Sequence, residues 1–220
     1  MATQYMGPHV LKRLSILRLA RRCRSTRSLV LTYDDGPSEP VTVPLLAMLK
    51  SARARASFFP TGRSGVPRAD LLDAIRRDGH EIGCHSMDHL HAWRCGPFAA
   101  MRDVSRGFAA LDSWLTCPRL FRPPHGKLTA LSWTAARPAR LAWWTHDSGD
   151  TAAVVPPLQP LLDRVASAGG AVVLFHDFER TGADREQRQG FVLDATQRLL
   201  RLAEREALRV VPFGSIGSFP

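Results

Sequence analysis

Leu29-Val30-Leu31-Thr32-Tyr33-Asp34-Asp35-Gly36-Pro37 is the stretch on which the fold turns. A short apolar run passes into two adjacent carboxylates and is stopped at once by Gly-Pro, the pattern of a buried strand that ends in a polar turn. Adjacent strand residues point to opposite faces, so Asp34 and Asp35 diverge in a regular strand. A strand end that twists into a turn can aim both at one site, whereas a helix cap or an Asp turn needs only one of them.

Moving outward, the same kind of apolar run recurs. Strands are predicted at Leu29 to Tyr33, Ala56 to Phe59, Glu81 to Cys84, Leu120 to Arg122, Leu141 to Trp144, Ala171 to Phe175 and Arg209 to Val211. Helical patterns fill the gaps, near Val41 to Ser51, Ala69 to Asp78, Pro97 to Leu115, Thr129 to Ala136, Pro157 to Ala168 and Gly190 to Glu206. Such alternation predicts an α/β domain with a parallel sheet, and six or seven β/α units favour closure into a barrel. Pro156-Pro157 and the polar stretch Glu179 to Gln189 read as loops. No fixed-period repeat and no low-complexity tract is present.

Ahead of the first strand, Val10, Leu11, Leu14 and Leu17 recur at helical spacing among Lys12, Arg13, Arg18, Arg21, Arg22 and Arg24. We expect a basic N-terminal segment, residues 1–27, with an amphipathic helix at 10–24, followed by one domain over residues 28–220. That helix either packs on the domain or makes peripheral contact with an anionic membrane surface.

The 220 residues are 45% hydrophobic and suffice for one core, which excludes disorder, collagen and coiled coil. No apolar run reaches the ~18 residues of a membrane span. The net charge of +10 comes almost wholly from Arg, with Lys only at positions 12, 50 and 127. Spread along the whole chain, it argues for weak attraction to any polyanion and against a specific nucleic-acid partner. Cys23, Cys84, Cys95 and Cys117 form no Cys-x-x-Cys pair and are too sparse for a disulfide scaffold. With no secretory signal at the start, Leu14 to Ala20 being interrupted by Arg18, the expected location is the cytoplasm.

Further ionisable groups cluster at the carboxyl ends of predicted strands, the rim on which parallel barrels carry their active sites. His85-Ser86-Met87-Asp88-His89 puts two histidines four apart, which in one helical turn can face the same metal; with an Asp from another strand end they complete an Asp/His/His set of the kind catalytic zinc uses. Phe121-Arg122-Pro123-Pro124-His125-Gly126, Asp147-Ser148-Gly149-Asp150 and Leu174-Phe175-His176-Asp177 follow. A structural Cys/His zinc site through Cys84 and Cys95 matches no finger spacing and leaves Asp35 unexplained. His80, Glu81 and Asp88 read as structural.

Taken in order, these clusters resemble the carbohydrate esterase family 4 polysaccharide deacetylases, the NodB-homology domain, over Leu29 to about Val211. Thr32 to Pro37 is similar to the family's first motif, Gly79 to Ser86 with His89 to the second, Arg122-Pro123-Pro124 to the third, Asp147 to Asp150 to the fourth and Leu174 to His176 to the fifth. The resemblance implies a single-domain distorted (β/α)7 barrel and metal-dependent hydrolysis of an N-acetyl group from an amino sugar: an oligosaccharide, a carrier-linked sugar or a glycoside precursor. By the same carry-over, Asp35, His85 and His89 hold one divalent ion, zinc in the first instance, with cobalt, nickel or iron accepting the same ligands. Asp34 is then the general base, oriented by Arg122. His176 is the general acid, its pKa set by Asp150, and Leu174 lines the acetyl pocket.

Two departures bear on substrate. His125 stands where the family commonly has Tyr, with the oxyanion donor expected from the backbone N–H there, and Thr151 stands where it commonly has Trp. Loss of that apolar wall, which Trp143, Trp144 or Trp93 would have to replace, keeps two alternatives open: a deformylase or non-sugar amidase with the same chemistry, and a sugar-binding protein of the same fold without turnover.

Overall fold

The structure, a computed structural model, describes the backbone of residues 6–216 and the side chains of residues 12–216. Helix α1 (Met6–Ser25) leads into β1 (Ser28–Asp34), then α2 (Glu39–Ser51), β2 (Ser57–Phe59), the short α3 (Gly62–Gly65), α4 (Ala69–Arg77), β3 (Glu81–Ile82) and α5 (Pro97–Leu111). The second half runs β4 (Leu120–Phe121), α6 (Ala130–Ala136), β5 (Arg140–Leu141), β6 (His146–Asp147), α7 (Gln159–Ala168), β7 (Ala171–His176), α8 (Arg185–Arg205) and β8 (Arg209–Val210).

Every strand pairing is parallel. One ladder runs β3-β2-β1-β7-β6 with β8 added beside the start of β1, and β4 pairs with β5. A bridge between Cys84 and Phe121 joins β3's continuation to β4, through Cys84 N to Leu120 O and Arg122 N to Cys84 O. The ring is not a continuous ladder. Its last side is the single segment from Arg140 to Asp147, which pairs with β4 at one end and with β7 at the other. The predicted strand Leu141 to Trp144 is therefore corrected to two short strands flanking Ala142 to Thr145. Trp143 and Trp144 lie in that break, with Lys12 Nζ 4.7 and 5.1 Å from their ring centres, while Ala142 N still bonds to Phe121 O and Thr145 N to Val172 O on either side. The parallel α/β architecture agrees with the alternation, and its interrupted ring with the distorted barrel that the resemblance implies.

Period-two alternation sorts the side chains of the longest strands into two environments. Leu29, Leu31 and Tyr33 of β1 join Val173 and Phe175 of β7 in a core cluster with Leu45, Leu72 and Leu199 of the surrounding helices. Val30 and Val172 point the other way, into an inner cluster with Phe59, Leu120 and Ala142. The inward positions of β1 are thus Val30, Thr32 and Asp34, and those of β7 are Val172, Leu174 and His176. The register pairs them level by level, Thr32 with Leu174 and Asp34 with His176. An apolar floor rises through Thr32 and Leu174 to an ionisable rim.

Helix α1 packs on this inner cluster, but not through the expected stripe. Ile16, Leu19 and Cys23 face inward, while Leu14 and Leu17 are 45% and 55% exposed; the side chains of Val10 and Leu11 lie outside the described residues. Cys23 sits against Gly170, where a Cβ would come within 2.4 Å of the Cys23 carbonyl oxygen, and that close approach fixes the helix's rotation. The polar stretch Glu179 to Gln189 is also corrected, since α8 begins at Arg185. Ion pairing between Arg188 and Asp184 lies at that helix start.

Candidate active site

The carboxyl ends of β1, β3, β4 and β7 bring Asp34, Asp35, His85, His89, Arg122 and His176 together, and the turn after β6 adds Asp150. Asp34 is the last residue of β1 and points inward with Thr32. Asp35 has φ of 69°, a left-handed conformation that Asp tolerates better than most residues. This breaks the strand's alternation, which is how two adjacent acids serve one site. The turn beyond is locked onto β7: a Cβ at Gly36 would lie 2.2 Å from an Asp177 carboxylate oxygen, Thr42 Oγ1 donates to Asp177 Oδ2 at 2.6 Å, and Ser38 Oγ donates to the Asp177 carbonyl at 2.6 Å.

His85 and His89 converge, but not on a helical turn. They sit on an irregular loop in which Ser86 and His89 both have positive φ, 67° and 57°. The expectation of a helical turn here fails because α5, the next helix along the chain, shapes the loop. Asp103 accepts from Asp88 N at 2.7 Å and from Leu90 N at 3.1 Å, bracketing His89. One turn further, Gly107 lets the helix approach so closely that a Cβ would fall 2.3 Å from the Ser86 carbonyl carbon.

His85 Nδ1 is 2.6 Å from the Arg122 carbonyl oxygen. A carbonyl only accepts, so Nδ1 carries the proton and the Nε2 lone pair faces Asp35. Burial, only partly opposed by Asp35, lowers the His85 pKa to about 3, so the ring is the neutral ligand form. Asp35 Oδ1 lies 3.5 Å from His85 Nε2 and 3.4 Å from His89 Nε2, and among the described residues these three groups are placed so that they could hold a metal ion.

Those separations are too long for good hydrogen bonds, and Asp35 Oδ1 is buried without a hydrogen-bond partner. Ligand atoms about 2.0–2.1 Å from a tetrahedral zinc stand roughly 3.3 Å apart. An orphaned carboxylate oxygen between two imidazoles at that spacing fits a divalent cation. The four cysteines are free thiols, and none belongs to the cluster.

Arg122 is fully buried and makes no contact with solvent. Its Nη1 donates to Asp34 Oδ1 at 2.8 Å and to Thr32 Oγ1 at 2.7 Å, and its Nε donates to Ala142 O at 2.9 Å. The guanidinium stacks over Phe59, 4.2 Å from the ring centre. Burial pushes the Asp34 carboxyl above the usual range, against the pull of Arg122; a cation at Asp35 would pull in the same direction as Arg122.

Across the barrel mouth, Asp150 is buried with four donors. Oδ1 accepts from Ser148 Oγ and His176 Nδ1, and Oδ2 from His176 N and Arg180 Nη2 at 2.6 Å. His176 Nδ1–H thus points at Asp150 and Nε2 is left for the site. Burial works against protonation of His176, but the hydrogen bond and charge of Asp150, with Asp34 and Asp35, outweigh it and raise the pKa to about 9. Stability from this pair is fully present below about pH 6.5 and lost as pH rises through about 9. Asp150→Asn is expected to bring the alkaline limb of the pH–rate profile down from about 9 toward the ordinary imidazole value of 6.5. An unmoved limb would separate His176 from the ionisation that controls turnover.

The remaining expected site residues are placed less centrally. Leu174 is buried at the Thr32 level, outside both core clusters. His125 is exposed on the turn after β4 with φ of 54°, its ring 4.4 Å from that of His89 and 4.8 Å from that of His91. Thr151 is exposed and makes no side-chain hydrogen bond among the described residues. Trp143 and Trp144 are packing groups, and Trp93 Nε1 donates to Leu128 O.

The chain contains supports that the sequence reading missed: Thr32, Asp103, Gly107 and Arg180, with Arg188. Arg188 holds the carbonyls of Asp150, Ala152 and Ala153, fixing the backbone around Thr151. Only Thr32 carried a local signal, as the polar residue inside an apolar strand.

A barrel whose rim holds a buried carboxylate, a paired imidazole and a three-ligand cation cradle is of the hydrolase class. The chain belongs to the polysaccharide deacetylase family, whose model matches residues 21–163, and it is an enzyme of that deacetylase class. It is 32% identical over 165 residues to a peptidoglycan-N-acetylglucosamine deacetylase of Bacillus cereus, covering 72% of this chain and 75% of the relative. A chitooligosaccharide deacetylase of a Bradyrhizobium species is 31% identical over 185 residues, covering 80% and 82%. Among solved structures, a family 4 carbohydrate esterase from Streptomyces lividans in complex with acetate is similar with a TM-score of 0.70 and 26% identity, over 83% of this chain and 90% of that one.

Proposed function

We propose that the protein removes the N-acetyl group of an amino sugar, within an oligosaccharide or a carrier-linked or glycosidic precursor, by divalent-metal-dependent hydrolysis. The observation that carries this reading is the register of β1 against β7, which sets Asp34 and His176 side by side at the rim, with Asp35, His85 and His89 clustered next to Asp34. Relatives named for peptidoglycan N-acetylglucosamine and for chitooligosaccharides support an N-acetylated sugar as substrate.

Asp35, His85 and His89 would hold a divalent ion, which when bound would supply Lewis-acid polarisation of the amide carbonyl and a more acidic water. Asp34, kept in place by Arg122 and Thr32, takes the proton of the attacking water. His176 holds its proton because Asp150 faces its other nitrogen, and releases it from Nε2 to the amine as the C–N bond breaks. The backbone N–H at position 125 donates to the oxyanion, and Leu174 bounds the acetyl methyl.

Elemental analysis combined with acetate release from N-acetylated mono- and oligosaccharides tests the reading. About one ion per chain is expected, with activity removed by chelation and restored by zinc or cobalt. A metal-free chain that stays inactive with added metal would instead support a sugar-binding role. The exposed Thr151 at the place of an apolar wall favours one second reading, a changed acyl group or a non-sugar amide, which a formyl, acetyl and propionyl series on one glucosamine derivative would separate.

A further inference from the structure

The second apolar stripe of α1 has no role in the fold. At about 100° per residue, Ile16, Leu19 and Cys23 define the packed side, and Leu14, Leu17, Arg18 and Arg21 fall within an arc of about 100° on the opposite side. Leu14 and Leu17 are 45% and 55% exposed there, and Arg18 and Arg21 are exposed beside them. No Asp or Glu occurs before Asp34 in the chain, and no side chain of α1 enters an ion pair among the described residues. The face therefore combines apolar area with uncompensated positive charge.

We propose that this face docks on a bilayer surface containing anionic lipid, with Leu14 and Leu17 entering the boundary between headgroups and acyl chains and Arg18 and Arg21 meeting lipid phosphates. Charge complementarity selects this occupant. A protein groove would satisfy the leucines but must supply several carboxylates, whereas a nucleic acid would satisfy the arginines and leave the leucines in water. An anionic bilayer provides both environments at the depths where the two side-chain types lie. The mount is rigid, since Leu19 and Cys23 are buried in the inner cluster and Lys12 Nζ donates to the Gly126 carbonyl at 3.0 Å. That bond ties the docking helix to the turn bearing His125. The surface itself stands whether or not the deacetylase mechanism above is correct.

The test is co-sedimentation of the full chain with vesicles of phosphatidylcholine alone and with about one lipid in three replaced by phosphatidylglycerol, at physiological salt. Binding is expected only to the anionic vesicles. Leu14→Ser with Leu17→Ser, and separately Arg18→Glu with Arg21→Glu, should each weaken it about tenfold or more, with unchanged thermal unfolding. Arg198→Glu with Arg201→Glu on α8 removes the same charge from another exposed face and should leave most of the binding. Equal loss from the α8 variant would reduce the effect to net charge and overturn the proposal. So would binding that the leucine variant retains, or displacement of the vesicles by duplex DNA at equal charge.

Discussion

Asp34→Asn is expected to lower acetate release by about 10²–10⁴-fold while leaving metal content near that of the parent, with a fall in Tm because the buried Arg122 loses its counter-charge. The substitution keeps an oxygen for Arg122 and changes no atom of Asp35, His85 or His89, so it removes the proton acceptor and the charge facing Arg122 but not the cation cradle. Steady-state rates and metal stoichiometry on the same preparation check it. Full activity in the variant would remove Asp34 from proton transfer and leave Asp35 or a solvent species as the acceptor.

The second large effect is on stability. Arg122→Met fills similar volume but strips the guanidinium from Asp34, Thr32 and the Ala142 carbonyl inside the barrel. A buried carboxylate left without its partner costs about 3–5 kcal/mol, and at this chain length about 2–4 °C of Tm accompanies each kcal/mol, so Tm should fall by roughly 6–20 °C. Adding Asp34→Asn to that variant removes the charge that Arg122 had balanced. The double variant should therefore recover part of the loss, a coupling that calorimetry on the four proteins resolves. A double variant less stable than Arg122→Met would mean that Asp34 is not the group Arg122 compensates.

The parts of this site legible in the sequence are those carried by strand ends. Asp34 and His176 were readable because an apolar run names its strand and its last residue lies at the rim, whichever helices surround it. Reading His85 and His89 as one helical turn reached the pair that converges on Asp35 through a different geometry: the loop is held by Asp103 and Gly107 on α5 and by backbone bonds to Pro60, Gly62 and Arg63. Arg180 was invisible for a similar reason. It lies in a polar stretch that reads as loop, and its partner Asp150 is 30 residues away.

On α1 the spacing gave a helix correctly and its orientation wrongly, because Ile16, Leu19 and Cys23 make as good a stripe as Leu14 and Leu17. Contacts made from elsewhere in the chain decide between them: Cys23 against Gly170, Lys12 to the Gly126 carbonyl and Arg22 to the Ile216 carbonyl. Local pattern identifies elements, and the face each presents is settled by shapes that arrive from elsewhere in the chain.

The level-by-level pairing of β1 with β7 separates two kinds of heritable change. In the proposed mechanism proton transfer rides on paired strands, where a shift at Asp34 or His176 would have to carry a ladder of backbone bonds with it. The positions proposed to set selectivity, His125 and Thr151, lie on exposed turns and hold none of that ladder. A lineage of such barrels can try new sugars or acyl groups at the turns while its reaction stays the same, and directed diversification of this chain should find its specificity variants there.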